Sequence, residues 1–295
     1  MILVSAESKA AEFQVYRPFL QGLAYRMLGS VVEAQDVVQD TYLRWEKADI
    51  GPIRSAKAWL TKTCMRVAMD ELKSARVQRE EYHGPWLPEP FLEEESEPPN
   101  VQAQMDDSVS VALMVALEKL TPAERATFLL HDIFGYRFDE VSEILGKSVA
   151  ACRKLATRAR SHIRADRPRF EAKPEDHRQL LESFFSAARS GDFDGLKSLL
   201  SESVSLHSDG GGKVIAVPKI ISGADLVATF FTRIAAAEQR NGNVYRASPV
   251  WFNGGPGLIL YENDVPATAF SLKIEDGRID TIYALRNPDK LALFS

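Results

Sequence analysis

The sequence predicts two all-α blocks, the second carrying a helix-turn-helix, followed by an α+β domain with a mostly antiparallel sheet. Three observations predict it. Apolar residues recur at helical spacing through Phe13–Arg79 and again through Val109–Arg164. An acidic, proline-rich stretch separates the two runs. After Pro168, short β-branched and aromatic runs alternate with Gly/Asn turns and with further helical patterns. At 295 residues, 45% apolar and 26% charged, the chain is long enough for two or three separately cored units.

The first block, 1–81, divides at two breaks, Gly29-Ser30 and the stretch DIGPIRS from Asp49 to Ser55. In Met27–Trp45 the residues Met27, Leu28, Val31, Val38, Tyr42 and Trp45 form the apolar stripe, and Asp36, Gln39 and Asp40 fall on the opposing surface. From spacing alone that acidic pair is a solvated face as readily as a binding surface. The next helix carries a cationic flank with Lys62, Arg66, Arg76 and Arg79. Residues 82–108 then form the connector. The stretch EYHGPWLPEPFLEEESEPPN, from Glu81 at the end of the first block to Asn100, holds five prolines and no Lys or Arg, which fits an extended chain.

Net charge is −5, yet residues 109–170 carry eleven Lys/Arg against seven Asp/Glu. A nucleic acid responds to potential within about a Debye length, ~10 Å, so this local excess matters more than the total. Within the second block, 109–168, boundaries fall at Thr121-Pro122, Gly135 and Gly146. Val141, Ile144 and Leu145 share one helical face, Gly146-Lys147 breaks the helix, and Ser148 caps the next. From Ser148 to Arg164 there is no acid. Val149, Cys152, Leu155, Ala156, Ala159 and Ile163 face inward, leaving Arg153, Lys154, Arg158, Arg160 and Arg164 outside. Such a helix suits a DNA major groove, with Ala150, Ala151, Arg153 and Lys154 nearest base edges and Arg158 and Arg160 on phosphates. A solvated basic face in an ordinary bundle is the alternative.

The last segment, 169–295, has helical patterns near 175–190, 193–201 and 222–239. Its strand-like runs lie near 203–208, 214–218, 244–252, 257–262, 267–275 and 278–286. His207 and Asp209 alternate on one strand face, so a general-base pair is conceivable there. The run Asp209–Lys213, DGGGK, lacks the leading glycine and the Ser/Thr of a phosphate loop and is not one. The two cysteines, Cys64 and Cys152, have neither CxxC nor Cys/His metal spacing. No run reaches the roughly 18 apolar residues of a membrane span, and Met1–Phe13 lacks a cationic leader. A cytoplasmic location without metal, cofactor or catalytic set is therefore expected.

Two stretches, AYRMLGSVVEAQDVVQDTYLRW with KAWLTKTCMRVAMDELKSAR, and LEKLTPAERATFLLHDIFGYRFDEVSEILGKSVAACRKLATRARSHI, resemble regions 2 and 4 of extracytoplasmic-function sigma factors. Three further signatures resemble the SigJ-like subgroup, which carries a SnoaL-like cone-shaped C-terminal extension. They are WLPEP (Trp86, Leu87, Pro88, Glu89, Pro90), DGGGK (Asp209, Gly210, Gly211, Gly212, Lys213) and NPDKL (Asn287, Pro288, Asp289, Lys290, Leu291). The resemblance implies that Asp36, Gln39 and Asp40 meet the clamp helices of the RNA polymerase core's largest subunit, with the flap as a second contact. It implies that Lys57, Lys62 and Arg66 hold the −10 DNA, Arg66 standing where many relatives have Asn. Ser148, Ala150, Ala151, Arg153, Lys154, Arg158 and Arg160 would read the −35 element. It also implies that the extension acts in cis through the three signatures, without a separate anti-sigma factor, and that a small-molecule ligand could occupy its pocket. Two other functions compete: a ligand-sensing helix-turn-helix regulator that binds a palindrome by itself, and an isomerase or cyclase fused to a nucleic-acid-binding half.

Overall fold

A computed structural model of the chain describes residues 6–49, 51–92, 109–164, 174–241 and 245–294. They form two compact units. The first comprises Met1–Glu80 with Met114–Asp166, and the second Glu81–Leu113 with Arg167–Ser295.

In the first unit, α1 (Ala6–Leu28) buries Phe13, Leu20, Leu23, Ala24 and Met27 against α2 (Val31–Lys47) and α3 (Ala56–Glu80). The break between α1 and α2 follows from local chemistry. Gly29, at φ 72°, closes α1, and Ser30 Oγ accepts the Glu33 N–H at 3.2 Å to open α2. Ser55 Oγ likewise accepts from Ala58 N at 3.2 Å where α3 begins. Trp45 is 1% exposed, donates Nε1–H to Lys9 O at 3.0 Å and packs on Trp59, whose ring centroid is 5.3 Å away.

Helix α4 (Val111–Leu117) leads to α5 (Pro122–Phe128), which opens on a Thr121/Glu124 capping box with Pro122 in its first turn. A π-helical turn, Leu129–Ile133, follows. Helices α6 (Phe138–Leu145) and α7 (Val149–Arg164) flank Gly146, which takes φ 64°. Ser148 Oγ accepts Ala151 N at 3.2 Å, so the second helix is capped as its sequence requires.

In the second unit the connector residues 82–92 run without helix or strand. Helices α8 (Pro174–Ser190), α9 (Phe193–Leu199) and α10 (Ala224–Asn241) accompany a sheet of order β2-β1-β6-β5-β4-β3. Its strands are β1 (Leu200–Asp209), β2 (Ile221–Ser222), β3 (Tyr245–Phe252), β4 (Gly255–Glu262), β5 (Val265–Glu275) and β6 (Arg278–Leu285). Among the described residues only the β1–β6 pairing is parallel. Strands β3 to β6 form a meander, its tight turns using left-handed Asn253-Gly254, Asn263-Asp264 and Asp276-Gly277. Helices and sheet enclose Phe184, Leu196, Val204, Phe231, Phe270 and Ile282, with Phe184 against Phe231 at 4.9 Å and Phe185 against Phe270 at 4.8 Å. This is the α+β architecture expected of a SnoaL-like extension.

Two expectations fail. Residues 214–218 are not a strand but part of a loop, and the chain regains the sheet only at Ile221–Ser222, beside β1. Gly211 and Gly212, at φ 62° and 69°, turn the backbone back, Lys213 N bonds Gly210 O at 3.0 Å, and Pro218 cannot donate to a ladder. Residues 200 and 201 also leave the expected helix for β1, because Leu200 pairs with Ile279.

Candidate nucleic-acid interface and connector staple

The three short signatures converge in the second unit. Asp209, at the end of β1, is fully buried and accepts four hydrogen bonds. Its Oδ1 takes Tyr82 Oη–H at 2.6 Å and Gly211 N–H at 3.0 Å, and its Oδ2 takes Leu87 N–H at 2.9 Å and Lys290 Nζ at 2.8 Å. Lys290, on α11 (Pro288–Leu291), also donates to Leu87 O at 2.6 Å, and its ammonium lies 4.3 Å from the Trp86 ring centroid. Asn287 caps α11 by accepting Asp289 N–H at 3.1 Å and donates Nδ2–H to Tyr82 Oη at 3.0 Å. Burial, reinforced by Asp209, pushes the Tyr82 phenol well above its ordinary value. The close approach explains two glycines: a Cβ at Gly211 would fall 2.4 Å from Asn287 Nδ2, and one at Gly210 would fall 2.7 Å from Val214 O. A Cβ at Gly212 would touch His83 at 3.5 Å. Lys213 is exposed and paired with Asp289, while Leu87 and Pro88 are buried and Pro288 is exposed. With four donors on its carboxylate, Asp209 offers no general base, and His207 instead bonds Ser205 Oγ at 3.3 Å.

On α2, Asp36 and Gln39 are exposed, and Asp40 pairs with Arg44 at 2.9 Å on the same surface. The sequence reading missed their neighbours: Val32 and Leu43, 62% and 41% exposed, continue that face at helical spacing. Lys57 is exposed with its ammonium 5.2 Å from the Phe19 ring centroid, Lys62 is half-buried and Arg66 is exposed. Lys57 also lines a depression of about 280 Å³ whose other walls include Phe134, Gly135, Tyr136 and Glu140. Tyr136 Oη lies 3.2 Å from Thr61 Oγ1, so within this unit the π-turn loop packs on α3.

On α7, Ala150, Arg153 and Lys154 are exposed, Ala151 is half-buried, and the Arg153 guanidinium lies 5.8 Å from the Phe138 ring centroid. Cys152 is buried on the apolar stripe. Two cations assigned to phosphate have partners within the chain: Arg158 reaches Glu124 at 3.5 Å and Arg160 reaches Asp132 at 2.7 Å. Helix α7 carries no acid, but the elements it packs against do. Arg164's side chain lies outside the described residues, as do Glu93, Glu94, Glu95 and Glu97 of the connector.

A buried arginine network was also not foreseen. Glu118 accepts from fully buried Arg125 and, at 2.6 Å, from Arg79. Arg125 Nε donates to Arg26 O at 2.9 Å, Arg79 to Leu28 O at 2.5 Å, and Arg76 to Glu118 O at 2.9 Å and to Leu120 O. Arg76 and Arg79, a cationic flank by sequence, thus hold the first unit together. Burial pushes the Glu118 carboxyl up, but Arg125 and Arg79 outweigh it and hold the group below the usual carboxylate range.

A capped helix-turn-helix with a basic second helix, in one unit with a three-helix module, describes a bipartite transcription factor. Family models agree: residues 13–77 match sigma-70 region 2 and residues 110–163 match sigma-70 region 4. The chain is 34% identical to the extracytoplasmic-function RNA polymerase sigma factor SigJ of Mycobacterium tuberculosis, over 96% of this chain and 93% of the relative. It is 32% identical to the probable sigma factor SigI of the same species, over 96% and 94%. The crystal structure of M. tuberculosis SigJ superposes with a TM-score of 0.75 at 29% identity, covering 96% of this chain and 98% of that one. The chain belongs to the extracytoplasmic-function family of RNA polymerase sigma factors. Members bind polymerase core and promoter DNA and direct transcription initiation; they are not enzymes. Among the described residues no helix is long and apolar enough to cross a membrane.

Proposed function

We propose that this sigma factor is regulated in cis by its C-terminal domain, which acts by holding the connector. The supporting observation is the buried staple: connector residues Tyr82, Trp86 and Leu87 close on Asp209, Asn287 and Lys290. The chain that leaves region 2 and enters region 4 is therefore part of the C-terminal unit's packing, and anything that shifts that packing changes the tether between the promoter-reading modules. A separate anti-sigma protein is unnecessary for such control. A small apolar ligand entering the C-terminal core would be one natural input.

In the same reading, Asp36, Gln39 and Asp40, flanked by Val32 and Leu43, dock on the polymerase clamp helices, and region 4 meets the flap. Lys57, Lys62 and Arg66 hold the −10 strand, and α7 reads the −35 groove through Ser148, Ala150, Ala151, Arg153 and Lys154. Arg158 and Arg160 exchange their carboxylate partners for phosphates on binding. The free chain binds promoter DNA weakly, because Lys57 faces the region 4 loop and two of the phosphate-seeking arginines are already paired.

Lys290→Met tests the staple. It leaves Asp209 buried without its cation, which costs about 3–5 kcal/mol in the second unit, read as an earlier denaturant transition for that unit. With core polymerase, initiation by the variant should differ from wild type at equal sigma concentration. Unchanged initiation alongside a measured loss of stability would remove the cis reading.

A further inference from the structure

The π-helical turn Leu129–Ile133 carries His131 into the helix-turn-helix. His131 Nδ1 lies 2.8 Å from Tyr136 O, and since a carbonyl can only accept, that nitrogen is the donor. The imidazole so oriented stacks on Phe138, the first residue of α6, with ring centroids 3.9 Å apart and planes 27° from parallel. Both rings are half-buried. Phe138 in turn meets α7: the Arg153 guanidinium lies 5.8 Å from its centroid, within reach of a cation–ring attraction.

Arg153 is exposed and is the fifth residue of α7, in the part of such a helix that approaches base edges. It is held in a different way from Arg158 and Arg160. Those two rest on Glu124 and Asp132, carboxylates they must give up to reach a phosphate. An aromatic face steers the plane of a guanidinium and takes up none of its N–H donors. The donor edge stays available, and a planar fork donating two parallel bonds is what the O6/N7 edge of guanine accepts.

We propose that Phe138 is a positioning residue for promoter reading: its ring, steadied by His131, aims Arg153 at a guanine edge in the −35 major groove. The inference rests on the reading of α7 given above, and adds the base read and the residue behind the reader. Phe138 acts through Arg153 and touches no base itself. An arginine side chain has many rotamers to lose, so a ring that restricts it favours one directed contact. Sequence preference and salt dependence are then carried by different residues. Phe138 sets the first through Arg153, while Arg158 and Arg160 contribute to the second through phosphate.

The test uses the full chain with core polymerase on promoter fragments carrying each of the four bases at every −35 position. Relative initiation gives the base preference, and affinity against salt gives the electrostatic slope. Arg153→Ala should abolish the preference for guanine at one position, a loss of about tenfold or more. Phe138→Leu, which keeps an apolar side chain without the ring, should weaken that same preference by about threefold and leave the salt slope unchanged. Phe138→Tyr should restore it. In an Arg153→Ala background, Phe138→Leu should change the preference no further. A Phe138→Leu protein that retains the full guanine preference overturns the proposal. So does one that loses initiation equally on all sequences, or whose effect persists without Arg153. Relaxation at a base other than guanine in Arg153→Ala overturns it as well. A wild-type protein indifferent to every −35 base would instead count against the reading of α7 on which the proposal rests.

Discussion

At the scale of single residues, the informative groups are buried charges that spacing does not reveal. Arg125 is fully buried within a short helix whose sequence, PAERATF, reads as half-exposed, and only the fold brings Glu118 and Arg79 to it. Asp209 and Lys290 are 81 positions apart, and nothing in either local pattern announces the pair. The motifs themselves were legible; their mutual contact was not, because it is a product of sheet order. Glu118 gives a pH test. Its carboxyl is held below its ordinary value, so its stabilisation is complete above about pH 4.5 and is lost as pH falls through the depressed value of the folded state. The first unit should therefore lose stability in acid. Glu118→Gln should lower its stability near neutrality by about 3–5 kcal/mol, and should flatten the acid limb of a urea-midpoint profile across pH 3–6. An unchanged limb would show that Arg125 is neutralised by other means.

At the scale of elements, boundaries were legible wherever one residue decides them. Gly29-Ser30, Thr121-Pro122, Gly146 with Ser148, and the three hairpin turns all sit where cap and turn chemistry require. The false strand at 214–218 shows the limit. Val214, Ile215 and Val217 favour a strand, but strand formation needs a neighbour, and the Gly-rich turn carries them away from one, leaving Ile215 89% exposed. On α2 the sequence showed the polar half of a candidate docking face and missed its apolar half, since Val32 and Leu43 resemble core positions by type. Val32→Asp should weaken binding to polymerase core by about tenfold or more, as loss of an interface anchor does. It should leave the melting transition in place, because an acid in the first turn favours the helix dipole. A fluorescence titration of labelled protein with core reads the first quantity. Unaltered affinity would move the docking surface elsewhere.

At the scale of the whole molecule, the division into units joins the two DNA-reading modules in one body and puts the connector's described residues with the C-terminal domain in the other. Sequence order could not show this, since the connector lies between regions 2 and 4 along the chain and is extended and polar in composition. Its Trp86, Leu87 and Pro88 stood out only through the family resemblance, because the acidic, proline-rich composition around them reads as an extended chain. On the proposed reading, polymerase core is the agent that sets the two modules on one promoter. The most direct measurement is a footprint and transcript assay on the same promoter fragments, with the full chain alone, core alone and both together. The account predicts protection of −10 and −35 positions and a defined transcript only in the combined reaction. Protection of a palindromic duplex by the chain alone, with no transcript from the mixture, would contradict it.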